Sequence, residues 1–291
     1  MPELPEVETI VEDLKKKVLN RTFLNVWTDA PKLIKKPKSF KDFQKSIKGK
    51  KVIKVWRRAK NIIFELSGGY ILLIHQKMTG HLLYGKWKLK NNKWQAEDNP
   101  VLQEKVNSYI HLLFFLDNNW MLALSDLRKF AKAELWDRSV FLNSKEYNSI
   151  GPEPLEKSFT LDVLKDILKS KEWRIKKLLM DQSVIAGIGN IYADEILWQA
   201  KIHPLQEASK INNAKAKLLY ESIKKILKKA VKLRGESFSD FRDLMGEKGF
   251  FDTERKAYQR EGEKCSRCGT RIKRIKINGR SSHYCPHCQK L

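Results

Sequence analysis

All four cysteines of the chain lie in its last 27 residues, as two Cys-x-x-Cys pairs separated by 16 residues. Such pairs form tight turns whose thiolates supply the tetrahedral ligands of a structural zinc ion. Two disulfides are the alternative, although neighbouring Cys-x-x-Cys pairs seldom bridge structurally in a chain without a secretory leader. His283 and His287 could replace a cysteine but are expected to be bystanders. The spacing therefore predicts one structural Zn²⁺ bound by Cys265, Cys268, Cys285 and Cys288.

A second group that could do chemistry lies at the N-terminus. Removal of Met1 would give Pro2 a secondary amine, which can attack an electrophilic carbon when it is partly unprotonated near neutral pH. The adjacent carboxylate, Glu3, could exchange protons with the reacting centre. Proline followed by acidic residues is also a common way to begin a helix. These residues alone therefore leave catalysis and helix capping open.

The charge of the chain indicates what it binds. The 291 residues include 58 Lys and Arg against 34 Asp and Glu, a net charge of +24. This excess favours a polyanion, either nucleic acid or an anionic membrane surface, over the alternative of a merely basic soluble protein. The longest apolar runs are too short to cross a bilayer, which excludes a membrane-spanning protein. Met1 is followed by an acidic segment, so no secretory leader is expected.

The hydrophobic pattern predicts the elements that position these residues. Val7, Ile10, Val11, Leu14 and Val18 have the spacing of one helical face. From about residue 21 to 136 the pattern changes to short β-type runs, which indicate a β sandwich or barrel. The clearest runs are Lys51–Trp56, Asn61–Leu66, Tyr70–Gln76, Tyr109–Leu116 and Trp120–Ser125.

The second half of the chain has a helical period. Gly-Pro-Glu-Pro at 151–154 is the best candidate for a linker. After it, helices are predicted around residues 161–168 and 175–179, from near Asn190, and as a long basic helix from about Ala208 to Leu233. Residues 234–260 show no clear period and are predicted to form a long mobile loop. Between the cysteine pairs, Asn278-Gly279 predicts a two-residue hairpin turn with Arg280 at its tip.

Several motifs in register resemble bacterial formamidopyrimidine-DNA glycosylases. They span nearly all of the chain and occur in the order of that family. They are Met-Pro-Glu-Leu-Pro-Glu-Val-Glu-Thr at 1–9, Arg-Arg-Ala-Lys at 57–60, Asp-Leu-Arg-Lys-Phe at 126–130, Gly-Pro-Glu-Pro at 151–154, Ala-Gly-Ile-Gly-Asn-Ile-Tyr at 186–192, and the terminal cysteine cluster.

The resemblance implies an α+β multidomain fold with an N-terminal helix and β sandwich, a helix-two-turn-helix domain and a four-cysteine zinc finger. The implied division is a catalytic domain over 2–136, a linker over 137–154, a DNA-binding domain over 155–234, a lesion-capping loop region over 235–260 and a zinc-finger hairpin over 261–291. The implied protein is a monomer that acts in the bacterial cytoplasm, associated with the nucleoid. Its partner is double-stranded DNA containing an oxidised base.

The activity implied is base-excision repair of oxidised purines, chiefly 8-oxoguanine opposite cytosine and formamidopyrimidines, followed by strand cleavage through β,δ-elimination. By resemblance, Pro2 is the nucleophile that forms a Schiff base with the sugar, and Glu3 is the proton donor that opens the sugar ring. Glu6 supports the site, although helix capping explains it equally well. Lys60 acts in β-elimination and Arg280 in δ-elimination; a solvated surface lysine is the alternative for Lys60.

The resemblance also implies DNA contacts. Met78 would fill the space left by the flipped nucleotide, Arg128 would contact the orphaned cytosine, and Phe130 would kink the duplex. From their residue types alone, Met78 and Phe130 would be core residues. The other implied DNA contacts are to phosphates, and they are made by Tyr109, Lys171, Lys176 and Asn190. The alternatives are a helix N-cap for Asn190 and solvated side chains for the two lysines.

The chain departs from the family pattern at several positions that bear on lesion preference. Tyr109-Ile110-His111 stands where a His-Asp-His element is frequent, and Leu127 stands where proline is common after Asp126. Arg234-Gly235 replaces the usual double glycine of the capping loop, and a position that is basic in some relatives is Ser239. Two alternatives remain: a related endonuclease VIII-like enzyme for oxidised pyrimidines, which usually has glycine at the position of Leu4, and a non-catalytic zinc-ribbon DNA-binding protein.

Overall fold

The computed structural model describes residues 1–97, 99–237 and 241–291. Its contacts divide the chain into two compact units. The first contains Met1–Asn148 and Leu233–Phe250, and the second contains Ser149–Lys232 and Phe251–Leu291. None of the helices among the described residues is long and apolar enough to cross a membrane.

The first unit combines a long N-terminal helix with two sheets. Its helices are α1 (Leu4–Lys17), α2 (Phe40–Ile47), α3 (Arg138–Leu142) and α4 (Lys145–Asn148). Its strands are β1 (Phe23–Thr28), β2 (Ile34–Lys36), β3 (Val52–Arg58), β4 (Asn61–Leu66), β5 (Tyr70–His75), β6 (Gly80–Gly85), β7 (Trp87–Lys90), β8 (Lys93–Ala96), β9 (Ile110–Leu116), β10 (Met121–Asp126) and β11 (Lys132–Asp137).

The two sheets have the strand orders β1-β9-β10-β6 and β2-β11-β5-β4-β3. All pairs are antiparallel except β11 with β2. One buried cluster contains side chains of both sheets, such as Phe114 and Leu124 from the first and Phe64 and Ile74 from the second. This arrangement confirms the β sandwich.

Helix α1 packs its apolar face into the same cluster, which includes Val7, Ile10, Val11 and Leu14. These are the residues that the helical spacing predicted. Glu6 in the first turn and lysines in the last turn match the partial charges of the helix ends. Burial of this face therefore fixes the helix that follows Pro2.

The second unit is helical and ends in the cysteine hairpin. Its elements are α5 (Leu161–Lys169), α6 (Ile175–Met180), α7 (Asn190–Gln199), α8 (Asn213–Lys232), β12 (Lys273–Ile277) and β13 (Arg280–Tyr284). Helix α8 begins later than predicted, and the Asn212 carboxamide oxygen caps its start by accepting the backbone N–H of Lys215. The mixed α+β architecture, with a helical region and a four-cysteine finger, is confirmed.

Two segments differ from the sequence expectation. Residues 137–154, predicted as a linker, include the short helices α3 and α4, and the Asp137 carboxylate caps α3 by accepting N–H groups of Ser139 and Val140. The described part of residues 234–260 contains one 3-10 turn, Phe251–Glu254, and buries Phe241, Leu244 and Ala257. A segment can thus pack well without a sequence period. Ser239 lies outside the described residues.

Candidate active site and nucleic-acid interface

The N-terminal segment is held by a capping box. Glu3 is the N-cap of α1, its side chain accepts the backbone N–H of Glu6, and its own N–H donates to Glu6 Oε2 at 2.7 Å. Both side chains are buried, at 3% and 2% exposure. Reciprocal capping satisfies two backbone donors and fixes the entry of the chain into the helix. Pro2 therefore precedes a rigid turn that holds two carboxylates.

Lys60 lies in the two-residue turn between β3 and β4, where Arg58 pairs with Asn61. Ala59 in this turn has a positive φ of 51°. Arg57, just before the turn, donates through Nε to Glu8 Oε2 of α1 at 2.5 Å. Lys60 is only 6% exposed, which contradicts the alternative of a solvated surface lysine. The strand turn that carries Lys60 is thus tied to the helix that follows Pro2.

His75 is a residue of this region that sequence reasoning missed. Burial, with the positive charges of Lys77, Lys132 and Lys60, lowers its pKa to about 3. The imidazole is therefore neutral at physiological pH, and its Nδ1 accepts the N–H of Lys77 at 2.9 Å. This bond fixes the turn before Met78. The position of a histidine at the end of a predicted strand could have indicated this residue from the sequence.

Met78 and Phe130 are exposed, at 40% and 52%. Met78 lies in the β5–β6 turn, and Phe130 lies in the β10–β11 turn together with Arg128, whose guanidinium carbon is 4.5 Å from the Phe130 ring centre. The core interpretation of the two apolar side chains is wrong, because both project from loop tips. Leu127, at 54% exposure, is a third apolar side chain that the sequence reasoning did not single out.

Asp126 holds the two loops together. Its carboxylate is fully buried and accepts Thr79 Oγ1–H at 2.5 Å. It also accepts the backbone N–H groups of Arg128 at 3.3 Å, Phe130 at 2.7 Å and Ala131 at 2.8 Å. A buried carboxylate needs this many donors to offset desolvation. The sequence reasoning gave Asp126 no role of its own, although an acidic residue before a turn is a known signal.

Tyr109 lies beside the same loops. Its carbonyl accepts the N–H of Asp126 at 2.8 Å. It lines a cavity of about 280 Å³ together with Thr79, Lys105, Val106 and Leu127. The predicted residues Met78, Tyr109, Arg128 and Phe130 are therefore carried by neighbouring loops of the first unit.

In the second unit, the predicted phosphate contact of Lys176 is contradicted. The side chain is 1% exposed, and its Nζ donates to Asp194 Oδ1 at 2.6 Å and to the Ser281 carbonyl at 2.9 Å. Its ammonium is committed to a buried ion pair, since an unpaired charge could not be buried at tolerable cost. Lys171 differs, because it is half-buried with Nζ 5.1 Å from the Trp173 ring centre.

Asn190 is the first residue of α7, and Gly189 is its N-cap. The N-cap alternative for Asn190 is therefore wrong by one position. Its Oδ1 is buried and has no hydrogen-bond partner among the described residues. The N-terminus of a helix carries a partial positive charge, which favours an anion.

The four cysteines form one cluster. Their sulfur atoms all lie within 4.8 Å of one another, and all four are free thiols. A tetrahedral zinc site with Zn–S bonds of about 2.3 Å has its sulfurs roughly 3.8 Å apart, so the donor set fits this ion. His283 points elsewhere, with Nδ1 3.1 Å from Asp194 Oδ2. Metal ligation, not disulfide pairing, matches this geometry.

Arg280 lies at the tip of the cysteine hairpin, as predicted. Ile277 pairs with Arg280 across the two-residue turn Asn278-Gly279, and both turn residues have positive φ. That conformation suits asparagine and glycine and matches the twist of the strands. Arg280 is exposed. Its strand is anchored by Asp194, which accepts Ser282 Oγ–H at 2.9 Å and the His283 N–H at 2.8 Å.

Comparison with known proteins matches three family models to consecutive parts of the chain. The model of the formamidopyrimidine-DNA glycosylase N-terminal domain matches residues 1–133, and that of its H2TH domain matches 150–242. The model of a zinc finger found in FPG and IleRS matches 262–291.

Full-length relatives give the same result. The formamidopyrimidine-DNA glycosylase of Herpetosiphon aurantiacus is 40% identical over 99% of this chain and 100% of its own, and that of Pelotomaculum thermopropionicum is 38% identical over 100% of both. Among solved structures, a point mutant of Lactococcus lactis FPG bound to a Fapy-dG containing DNA superposes with a TM-score of 0.87, at 34% identity over 100% of both chains. A MutM complex with carbocyclic 8-oxo-G containing DNA has a TM-score of 0.85 at 35% identity, again over 100% of both chains.

Proposed function

The chain belongs to the formamidopyrimidine-DNA glycosylase family, and on that premise we propose a mechanism for it as an oxidised-purine glycosylase and abasic-site lyase. The observation that carries the mechanism is the buried capping box, which fixes Glu3 and Glu6 directly after Pro2. A nucleophile needs this kind of preorganisation beside a proton donor.

The reaction begins at the Pro2 nitrogen after Met1 has been removed. The nitrogen forms a bond to C1′ of the damaged nucleotide, and the bond from C1′ to the base breaks as the base leaves with a proton. Glu3 then donates a proton to the ring oxygen, whose bond to C1′ breaks to give an iminium ion. The iminium withdraws electrons, so that a proton can leave C2′ and the flanking phosphates can be eliminated in turn. Lys60 serves the first elimination, and Arg280 serves the second.

The loops of the first unit hold the strand opposite the lesion. Met78 fills the gap in the base stack, Arg128 donates to the orphaned cytosine, and Phe130 wedges the neighbouring step. Tyr109, Lys171 and the start of α7 at Asn190 contact phosphates. The exposure of Met78 and Phe130 supports this part of the proposal, because only an exposed apolar side chain can enter the base stack as a wedge.

One zinc ion completes the finger. Cys265, Cys268, Cys285 and Cys288 would hold it, and its role is structural, since four protein ligands leave no open position for catalysis. The hairpin that it stabilises carries Arg280. The functional division into residues 2–136, 155–234, 235–260 and 261–291 is part of the same proposal, and the protein works as a monomer on chromosomal DNA in the bacterial cytoplasm.

The test is reductive trapping. The protein is mixed with a duplex containing 8-oxoguanine opposite cytosine, and borohydride is added to reduce the iminium to a stable amine. We expect a covalent protein–DNA adduct whose peptide map places the link on Pro2. The matched control is protein that retains Met1, because its side chains are identical but the Pro2 nitrogen is acylated. Equal trapping with Met1 retained would refute Pro2 as the nucleophile.

A second duplex tests the choice of lesion. A duplex with an oxidised pyrimidine should be processed more slowly than the one with 8-oxoguanine. Faster processing of the pyrimidine would favour the endonuclease VIII-like alternative. Absence of any adduct in material with a mass showing Met1 removal would overturn the Schiff-base mechanism.

A further inference from the structure

The segment Leu233–Phe250 packs as part of the first unit, although the chain on both sides of it belongs to the second. It closes on itself, since the Phe250 N–H donates to the Leu233 carbonyl at 2.8 Å. Phe241 and Leu244 enter the core cluster of the sandwich, and the Leu244 carbonyl accepts the Tyr84 N–H at 2.8 Å. The segment is therefore seated on the unit that carries Pro2.

The start of this segment meets the capping box. Glu6 Oε1 accepts the N–H of Glu236 at 2.8 Å, and its Oε2 accepts the N–H of Glu3. A Cβ atom on Gly235 would lie 2.7 Å from Glu6 Oε1, so only glycine allows this approach. One carboxylate thus connects the segment to the residue beside Pro2. A nucleotide bound at the Pro2 nitrogen would meet residues 235–236.

Arg234 clamps the segment at the same point. Its guanidinium makes a two-pronged contact with the carboxylate of Asp13 on α1, and Nε and Nη2 donate to Asp243 Oδ2 at 2.9 and 2.6 Å. The Asp13 and Asp243 side chains are only 12% and 3% exposed. Charge-assisted contacts of this geometry are stronger than neutral ones, and partial burial reduces their screening by salt.

The backbone conformation at Arg234 is unusual for an arginine. Its φ is 60°, in the left-handed region where glycine is favoured. The contacts with Asp13 and Asp243 help to hold Arg234 in that conformation. Asp243 also accepts the N–H groups of Met245 and Glu247 at 2.9 Å, so it shapes the far end of the segment.

We propose that Arg234, through Asp13 and Asp243, is a positioning residue that locks residues 234–237 and 241–249 over the damaged base and thereby sets the rate of base excision. The inference rests on the proposed function. The capping box within α1 does not involve Arg234, so the attacking group stays in place when the clamp is removed. Base release needs the base to be held, whereas cleavage at an abasic site does not. The clamp should therefore matter for the first step alone.

The experiment compares Arg234→Gly with wild type in single-turnover reactions on two duplexes, one with 8-oxoguanine opposite cytosine and one with a preformed abasic site. Glycine suits the backbone at 234, so the variant should fold. We expect base excision to slow about tenfold, with strand cleavage at the abasic site within about twofold of wild type. Arg234→Lys, which keeps the charge but not the two-pronged geometry, should recover part of the rate.

Lys201→Gly is the matched control, because Lys201 is also positively charged and has a φ of 56°, but lies exposed. It should leave both rates unchanged. Hydrogen exchange of the peptide covering 241–250 should be faster in Arg234→Gly and unchanged in the control.

Unchanged base excision in Arg234→Gly would overturn the inference, and so would an equal loss on both duplexes, which would indicate general damage to the site. If wild type processes neither duplex, the proposed function fails and the inference with it.

Discussion

Replacing Asp126 with asparagine should loosen the loops that carry Met78, Arg128 and Phe130. The carboxylate is fully buried and accepts four donors, three of them backbone N–H groups of the loop. Asparagine keeps one acceptor oxygen but turns an NH2 group towards donors, so about two of the four bonds are lost. A hydrogen bond to a charged group contributes about 1.5–3 kcal/mol, so the loss of two gives roughly 3–6 kcal/mol.

The assay has two parts. Urea unfolding followed by tryptophan fluorescence should show the lower free energy of unfolding. Single-turnover excision from duplexes with cytosine or adenine opposite 8-oxoguanine should show a slower rate and a weaker preference for cytosine, because Arg128 is no longer preorganised.

The matched control is Asp137→Asn, which makes the same change at the exposed N-cap of α3. Asparagine caps a helix about as well as aspartate, so its effect should stay within about 0.5 kcal/mol. If the two variants were equally stable and Asp126→Asn kept the cytosine preference, the role assigned to Asp126 would be refuted.

Three further outcomes are expected. Removal of zinc with a chelator should abolish borohydride trapping on the 8-oxoguanine duplex, and added Zn²⁺ should restore it; trapping by zinc-free protein would contradict a structural role of the ion. Lys176→Met should lower the free energy of unfolding by about 3 kcal/mol, because it leaves Asp194 buried without its cation. The control Lys177→Met removes an exposed lysine over Trp173 and should lower it by about 1 kcal/mol or less. Burial lowers the pKa of His81 to about 4, so as the pH falls the unfolded chain binds this proton first, and stability is lost between about pH 6.5 and 4. In urea titrations over that window, the wild type should lose about 1.4 kcal/mol of unfolding free energy per pH unit relative to His81→Gln. Parallel pH profiles of the two proteins would contradict the assignment.

The sequence predicted the elements whose pattern is local. The five β runs, helix α1 and the hairpin turn at Asn278-Gly279 follow from side-chain alternation, helical spacing and turn chemistry, and the structure has each within a few residues. The cysteine cluster is equally local, because ligand spacing within each pair is set by the turn. The short strands β2, β7 and β8 were not predicted, since three or four residues give no measurable period.

What the sequence did not reveal depends on distant partners. Lys176 has the residue type of a surface lysine, and its burial follows only from Asp194, 18 positions away, and from the hairpin more than 100 positions away. The packing of Arg234 and Asp243 likewise requires Asp13, which is 221 positions from Arg234. Contacts of this kind leave no trace in composition or spacing.

Helix α7 shows how the second unit can position the two elements that are proposed to contact phosphates. It begins at Asn190, and two consecutive acidic residues in its middle, Asp194 and Glu195, are both buried. Asp194 anchors the strand that follows Arg280. Glu195 accepts the N–H groups of residues 256–258 at 2.8–2.9 Å, just before the first cysteine pair. Burial raises the pKa of Glu195.

These contacts give the hairpin two supports of different chemistry. The proposed zinc ion would fix its base, whereas Asp194 attaches it to the helix whose N-terminus is the proposed phosphate site. Glu195 attaches residues 256–258, which precede the hairpin, to the same helix. Because both carboxylates lie on one rigid helix, the separation between Asn190 and Arg280 is set by the helix and the hairpin strands and does not depend on the cysteine cluster alone. The proposed zinc ion would therefore fold the finger, whereas hydrogen bonds to Asp194 determine the register of Arg280 with respect to α7.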